Sequence, residues 1–264
     1  MSGDKRSKSK LLISLSSIAA SMLLAGCTTH MEETNSGTYE GPRPPIGQGE
    51  AYSFVTIGKN GTPIKIGIRL SESALSGLPM PTTEHEYEYV LPLPPEFTST
   101  GYREIVMGWN PHGHIPVGVY NTPHFDFHFY MIDPNDRQKI TAVGDDLVRA
   151  HKAPPEQYMP AGYILPPGTE VPKMGAHAVD PQGDEFTNRS FTKTFIYGFY
   201  DGQMIFVEPM ITKAYLETKP DVYTTIAVPQ KYNLPAYYPT SYGVVYNEDN
   251  REYEISLENL VLSK

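Results

Sequence analysis

The chain has one cysteine, Cys27, in 264 residues. That scarcity excludes an internal disulfide and any metal centre built from several thiolates. A nucleotide-binding glycine loop, a Gly-x-Ser-x-Gly elbow and a His-Glu-x-x-His helix are also missing, which removes support for phosphoryl transfer, serine hydrolysis of that type and zincin chemistry. Beyond the first ten residues no Lys/Arg cluster occurs, and the formal net charge is −9. Nucleic-acid binding depends on neutralising phosphates, so this balance argues against a nucleic-acid partner. Nor is there a long hydrophobic run. Leu11 to Leu24 follows Lys5, Arg6, Lys8 and Lys10 and falls short of the roughly 18–20 residues a spanning helix needs, so it reads as an export signal.

What is there begins with the end of that signal. Leu24-Ala25-Gly26-Cys27 resembles the lipobox of bacterial lipoproteins. The resemblance implies a signal peptide over residues 1–26, cleavage before Cys27 and lipidation of its thiol. Several acyl chains, each buried CH₂ contributing roughly 0.8 kcal/mol, would hold the protein on a lipid bilayer without crossing it. The expected location is the cell envelope, and by the sorting rules of the lipoproteins it resembles, Thr28 in place of Asp favours an outer membrane where one exists. Residues 27–49, rich in Thr, Glu, Gly and Pro, read as the lipidated cysteine and a flexible tether, and residues 50–264 as a single β-rich domain.

With 19 Tyr, 10 Phe and 25 Pro against 19% charged residues, the composition suits strands and turns. Asn60-Gly61 between the β-prone runs 51–58 and 62–70 predicts a hairpin, and Asp201-Gly202 between 191–200 and 203–212 predicts a second. Further strands are expected over 86–91, 103–109, 222–228, 242–246 and 251–257. Short helical turns are expected at 71–77, capped by Ser71, and at 213–219, with a long ordered loop over 153–172. The fold class is mainly β, an antiparallel sandwich or barrel with few short helices.

Residues 124–130 read His-Phe-Asp-Phe-His-Phe-Tyr. On a strand this alternation puts His124, Asp126, His128 and Tyr130 on one face and three phenylalanines on the other. Histidine and carboxylate are the side chains of metal binding and acid-base chemistry. His124 and His128 lie about 13 Å apart on a regular strand and do not readily share one ion, whereas neighbours two apart, at about 6.6 Å, can converge on one. His177 can come across from a neighbouring strand, and His114 follows Gly113 in a turn. Glu208 is a carboxylate inside an apolar strand that must be paired, ligated or protonated if buried. The expected metal ligands are Asp126, His128, His177 and His114. Glu208 and His124 are the expected proton-moving residues, with zinc or another divalent transition metal as the cofactor.

Gly113-His114-Ile115-Pro116-Val117-Gly118-Val119-Tyr120, the stretch from Pro123 to Tyr130 and Met174-Gly175-Ala176-His177 together resemble an uncharacterised family of exported bacterial proteins, over about residues 109–212. Ala178 departs from that pattern, in which an aromatic often follows the histidine. The resemblance implies no activity. The leading expectation is therefore a membrane-anchored envelope lipoprotein whose His/Asp pocket binds a small ligand or a divalent metal. The alternative is a structural or assembly lipoprotein in which the same face makes buried hydrogen bonds and the aromatic strands join copies into a homo-oligomer.

Overall fold

A computed structural model of the chain describes residues 36–83, 86–187 and 189–263. The expected signal peptide, the lipidated Cys27, His30 and His85 lie outside the described residues. In chain order the first strands are β1 (Gly37–Glu40), β2 (Pro45–Ile46), β3 (Gly49–Ile57), β4 (Pro63–Ser71), β5 (Tyr87–Leu91), β6 (Glu104–Asn110) and β7 (His124–Tyr130). They are followed by β8 (Glu170–Val171), β9 (Gly175–Ala178), β10 (Lys193–Tyr200), β11 (Gln203–Thr212) and β12 (Asp221–Thr225). Last come β13 (Ala236–Tyr238), β14 (Ser241–Asn247), β15 (Glu252–Glu258) and β16 (Val261–Ser263). The α-helices are short: α1 (Pro134–Arg137), α2 (Asp146–Ala150) and α3 (Lys213–Leu216).

All strand pairing is antiparallel, in two seven-stranded sheets that form a curled sandwich. One sheet runs β1-β3-β4-β15-β14-β12, with β2 added against β3; the other runs β5-β6-β7-β11-β10-β9-β8. A small β13-β16 pair stands apart. Both anticipated hairpins form. In the second, Asp201 (φ 51°) and Gly202 (φ 77°) are the two left-handed residues of a turn whose twist matches its strands. Ser71 precedes a 3-10 turn at Glu72–Leu75, although its side chain does not cap that turn. The composition of residues 37–46 suggests tether, yet β1 pairs with β3 along its whole length and Ile46 is buried. A free edge of β3 supplies backbone partners that composition does not reveal.

The sandwich core explains one half of the 124–130 alternation. Phe125, Phe127 and Phe129 point inward with Ile105, Met107 and Trp109 of β6, facing Val55, Ile68 and Ile255 of the opposite sheet. Burial of each phenylalanine contributes about 1.5–3 kcal/mol, which fixes the register of β7 and sends its other face outward. That outward face is not solvated. Segments 113–120 and 166–174 fold over it, leaving His124, Asp126 and His128 buried beneath them.

Candidate metal centre

Cross-strand register assembles the site. Asn110, Gly108 and Val106 of β6 stand opposite His124, Asp126 and His128 of β7, while Asp126 stands opposite Met210 and Tyr130 opposite Phe206 of β11. Glu208 lies between those last two pairs on the same face and pairs with Ile196 of β10, and Gly198 of β10 pairs with His177 of β9. Four strands thus deliver side chains from sequence positions far apart to one surface. Two glycines make room on it. A Cβ on Gly198 would lie 1.9 Å from the Phe206 ring, and one on Gly108 would lie 2.1 Å from Glu86 Oε1. The ring that Gly198 admits packs against His128 and His177, with centroids 5.2 and 5.4 Å apart.

Two His₂-carboxylate triads result, and each could hold a metal ion: His114, His124 and Asp126 form one, and His128, His177 and Glu208 the other, with candidate ligand atoms within 4.8 Å of one another in each. In the first, His114 Nε2 lies 3.3 Å from Asp126 Oδ2 and His124 Nε2 lies 3.1 Å from Asp126 Oδ1. In the second, His128 Nε2 lies 3.5 Å from Glu208 Oε1 and His177 Nε2 lies 3.8 Å from Glu208 Oε2. Two ligands about 2.1 Å from a common ion at tetrahedral or octahedral angles are about 3.0–3.5 Å apart, so three of these spacings suit an ion between the pair, and the His177–Glu208 pair at 3.8 Å would close slightly on one.

Three of the four imidazoles are locked in orientation, His128 having no hydrogen-bond partner on either ring nitrogen. His114 Nδ1 donates to the carbonyl of Ile115 (2.6 Å), His124 Nδ1 to that of Thr122 (2.6 Å) and His177 Nδ1 to that of Thr169 (2.7 Å). A carbonyl only accepts, so Nδ1 carries the proton and Nε2 is the atom turned to the carboxylate. Anchoring the far nitrogen on an acceptor is how proteins orient metal-ligating histidines. Asn110 Nδ2 donates to Asp126 Oδ2 at 2.7 Å and orients the carboxylate in the same way. His124 Nε2, Asp126 Oδ1, His128 Nε2 and Glu208 Oε2 are buried without a hydrogen-bond partner. Orphaned polar atoms facing one another in this way require a proton or a cation between them.

The two triads differ electrostatically. Burial opposes charge on Asp126, but His124 and His114 beside it outweigh burial and hold the carboxyl well below its ordinary range. Burial likewise opposes a charged His114, yet hydrogen bonding and attraction to Asp126 raise the imidazole to about 9. In the second triad burial lowers His128 to about 3 and also lowers His177. Burial, with the charges of Asp126 and Glu86 added, pushes Glu208 well above the carboxylate range. The first triad therefore favours an ion pair, whereas the second favours neutral imidazoles and opposes ionisation of its carboxyl.

Both triads open on one cavity of about 530 Å³, which Glu86 also enters. Residues 58–109 match the family described as TTHB210-like, hypothetical protein TTHB210. No curated protein and no solved structure matches the chain. The matched segment runs through β4, β5 and most of β6; it includes Glu86 and Gly108 and stops before both triads.

All six expected metal-ligating and proton-moving residues lie in this cluster, but the grouping differs from the expected one. Asp126 joins His114 and His124 rather than His128 and His177, and His124 and Glu208, expected to move protons, occupy ligand positions. The 13 Å limit between His124 and His128 is reflected in their falling into separate triads. His112 bonds the carbonyl of Pro81, and His151 pairs with Glu170, both apart from the cavity. Sequence reasoning missed Glu86 and Asn110. Period-2 counting from the β6 end back to Gly108 marks Asn110 as sharing its face, whereas Glu86 precedes its strand and carries no local signal.

Proposed function

We propose that this chain is an envelope protein that binds divalent transition metal in the cavity, at both triads. The observation that carries the reading is the aim of the imidazoles: three histidines anchored through Nδ1 turn Nε2 toward buried carboxylates, and the oxygens that His124 and His177 face, Asp126 Oδ1 and Glu208 Oε2, lack a hydrogen-bond partner. Imidazole with carboxylate suits zinc and its divalent neighbours, whereas magnesium and calcium prefer oxygen alone. Three ligands per ion leave positions open for water or a ligand oxygen, the arrangement of catalytic rather than structural zinc. A metal so bound acidifies water and polarises a carbonyl. The protein's own part is to orient the ligands, keep bulk water from them and hold a protonatable carboxyl, Glu86, in the same cavity. Attachment to the bilayer through acylated Cys27 rests on the lipobox resemblance of residues 24–27.

Elemental analysis of the purified chain tests the metal reading. About two equivalents of metal are expected in the parent, and about one in each of His114→Ala/His124→Ala and His128→Ala/His177→Ala. Folded proteins that hold no metal after reconstitution would refute it and favour the structural alternative.

A further inference from the structure

The walls above the triads restrict what the proposed centre can receive. Ile115, Val171, Met174, Val179, Ile196 and Met210 are among the lining side chains. A cavity of about 530 Å³ falls within the range of about 300–1,000 Å³ typical of small-molecule sites. Among the described lining residues none is Lys or Arg. The nearby Arg137 is buried behind Tyr130, with its guanidinium 5.0 Å from that ring and 2.7 Å from Glu104.

Of the neutral donors of the wall, three are committed, and His128 Nδ1 is left without a partner. Asn110 Nδ2 donates to Asp126, Thr169 Oγ1 to the Pro166 carbonyl at 2.8 Å and Tyr120 Oη to Glu185 at 3.4 Å. A phosphate carries four oxygens, and those beyond the metals' reach would find only His128 Nδ1 and the Glu86 carboxyl as free polar side-chain groups among the described lining residues, leaving the rest of its charge against hydrocarbon. Desolvating charge without a partner is prohibitive, while an apolar body gains from the same walls.

We infer that the cavity receives neutral, largely apolar molecules carrying a single carbonyl-type oxygen head, acyl compounds above all, and excludes phosphate. The inference rests on the metal reading proposed above. The head occupies the open metal positions, and the tail lies between the 113–120 and 166–174 segments.

Cobalt-loaded full-length protein tests it, because the visible spectrum of Co²⁺ reports metal occupancy and ligand binding separately. Octanohydroxamic acid, acetohydroxamic acid and inorganic phosphate are titrated in turn. The longer hydroxamate is expected to bind at least ~100-fold more tightly than the shorter, since six extra methylenes enter the cavity, and phosphate is expected to leave the spectrum unchanged. Val171→Glu, a charge on the half-buried wall, is expected to reduce the octanoyl advantage over acetohydroxamate at least ~10-fold. Equal affinity for the two hydroxamates, or a spectral response to phosphate, overturns the inference with the metal reading intact. Lack of a cobalt spectrum overturns the metal reading and the inference with it.

Discussion

Glu86 gives the most quantitative prediction. Burial, with help from Asp126 and Glu88, raises its carboxyl from 4.5 to about 8 in the folded protein. Between those values the native state keeps a proton that the unfolded chain releases, so stability falls as pH rises through this window. At 1.36 kcal/mol per pKa unit, ionisation of the unfolded chain costs the native state about 3 kcal/mol at pH 7 and only about 1 kcal/mol at pH 5. Glu86→Gln mimics the protonated carboxyl in shape and removes the term. Chelator-treated E86Q is therefore expected to be more stable than the parent by about 3 kcal/mol at pH 7, an increase in melting temperature of about 6–12 °C for a domain of this size, shrinking toward pH 5. Thermal denaturation followed by circular dichroism from pH 5 to 7.5 reads the difference. An E86Q advantage that stays constant with pH, or a variant less stable than the parent at pH 7, refutes the reasoning.

Metal uptake should release protons. With His114 raised to about 9, the first triad is expected to lose about one proton per metal near pH 7.5, and the upward shift of Glu208 adds proton release from the second, measured by titration calorimetry in HEPES and in Tris; equal apparent enthalpies in the two buffers, after correction for metal–buffer binding, would contradict this. Gly198→Ala sets a Cβ 1.9 Å from the buried Phe206 ring, so urea denaturation should report a loss of about 3 kcal/mol, with one of the two metal equivalents lost as His128 and His177 lose their support. A variant of parental stability would mean that Phe206 relaxes freely.

Much of the site could be read along one strand. The alternation at 124–130 identified His124, Asp126 and His128 because period-2 geometry is local, and the phenylalanines between them fixed which face they share. His114, His177 and Glu208 were recognisable as chemistry out of context: a histidine beside a turn glycine, a histidine amid small residues and a carboxylate in an apolar strand. Their partners were not recognisable. Asp126 is equally spaced from His124 and His128 along the strand, and only the arrival of His114 from the 113–120 segment draws it into the first triad.

The sequence by itself determined the β class, both hairpin turns and the amphipathic face, since turn chemistry and side-chain alternation act over a few residues. It also carries the lipobox resemblance. The tertiary structure alone decided that β7 lies between β6 and β11, that residues 37–46 join the sheet and that Glu86 reaches over Gly108 into the cavity. Long-range pairing depends on complementary surfaces brought together from distant parts of the chain. Which carboxylate faces which imidazole, and so which protons a metal would displace, is set by that pairing.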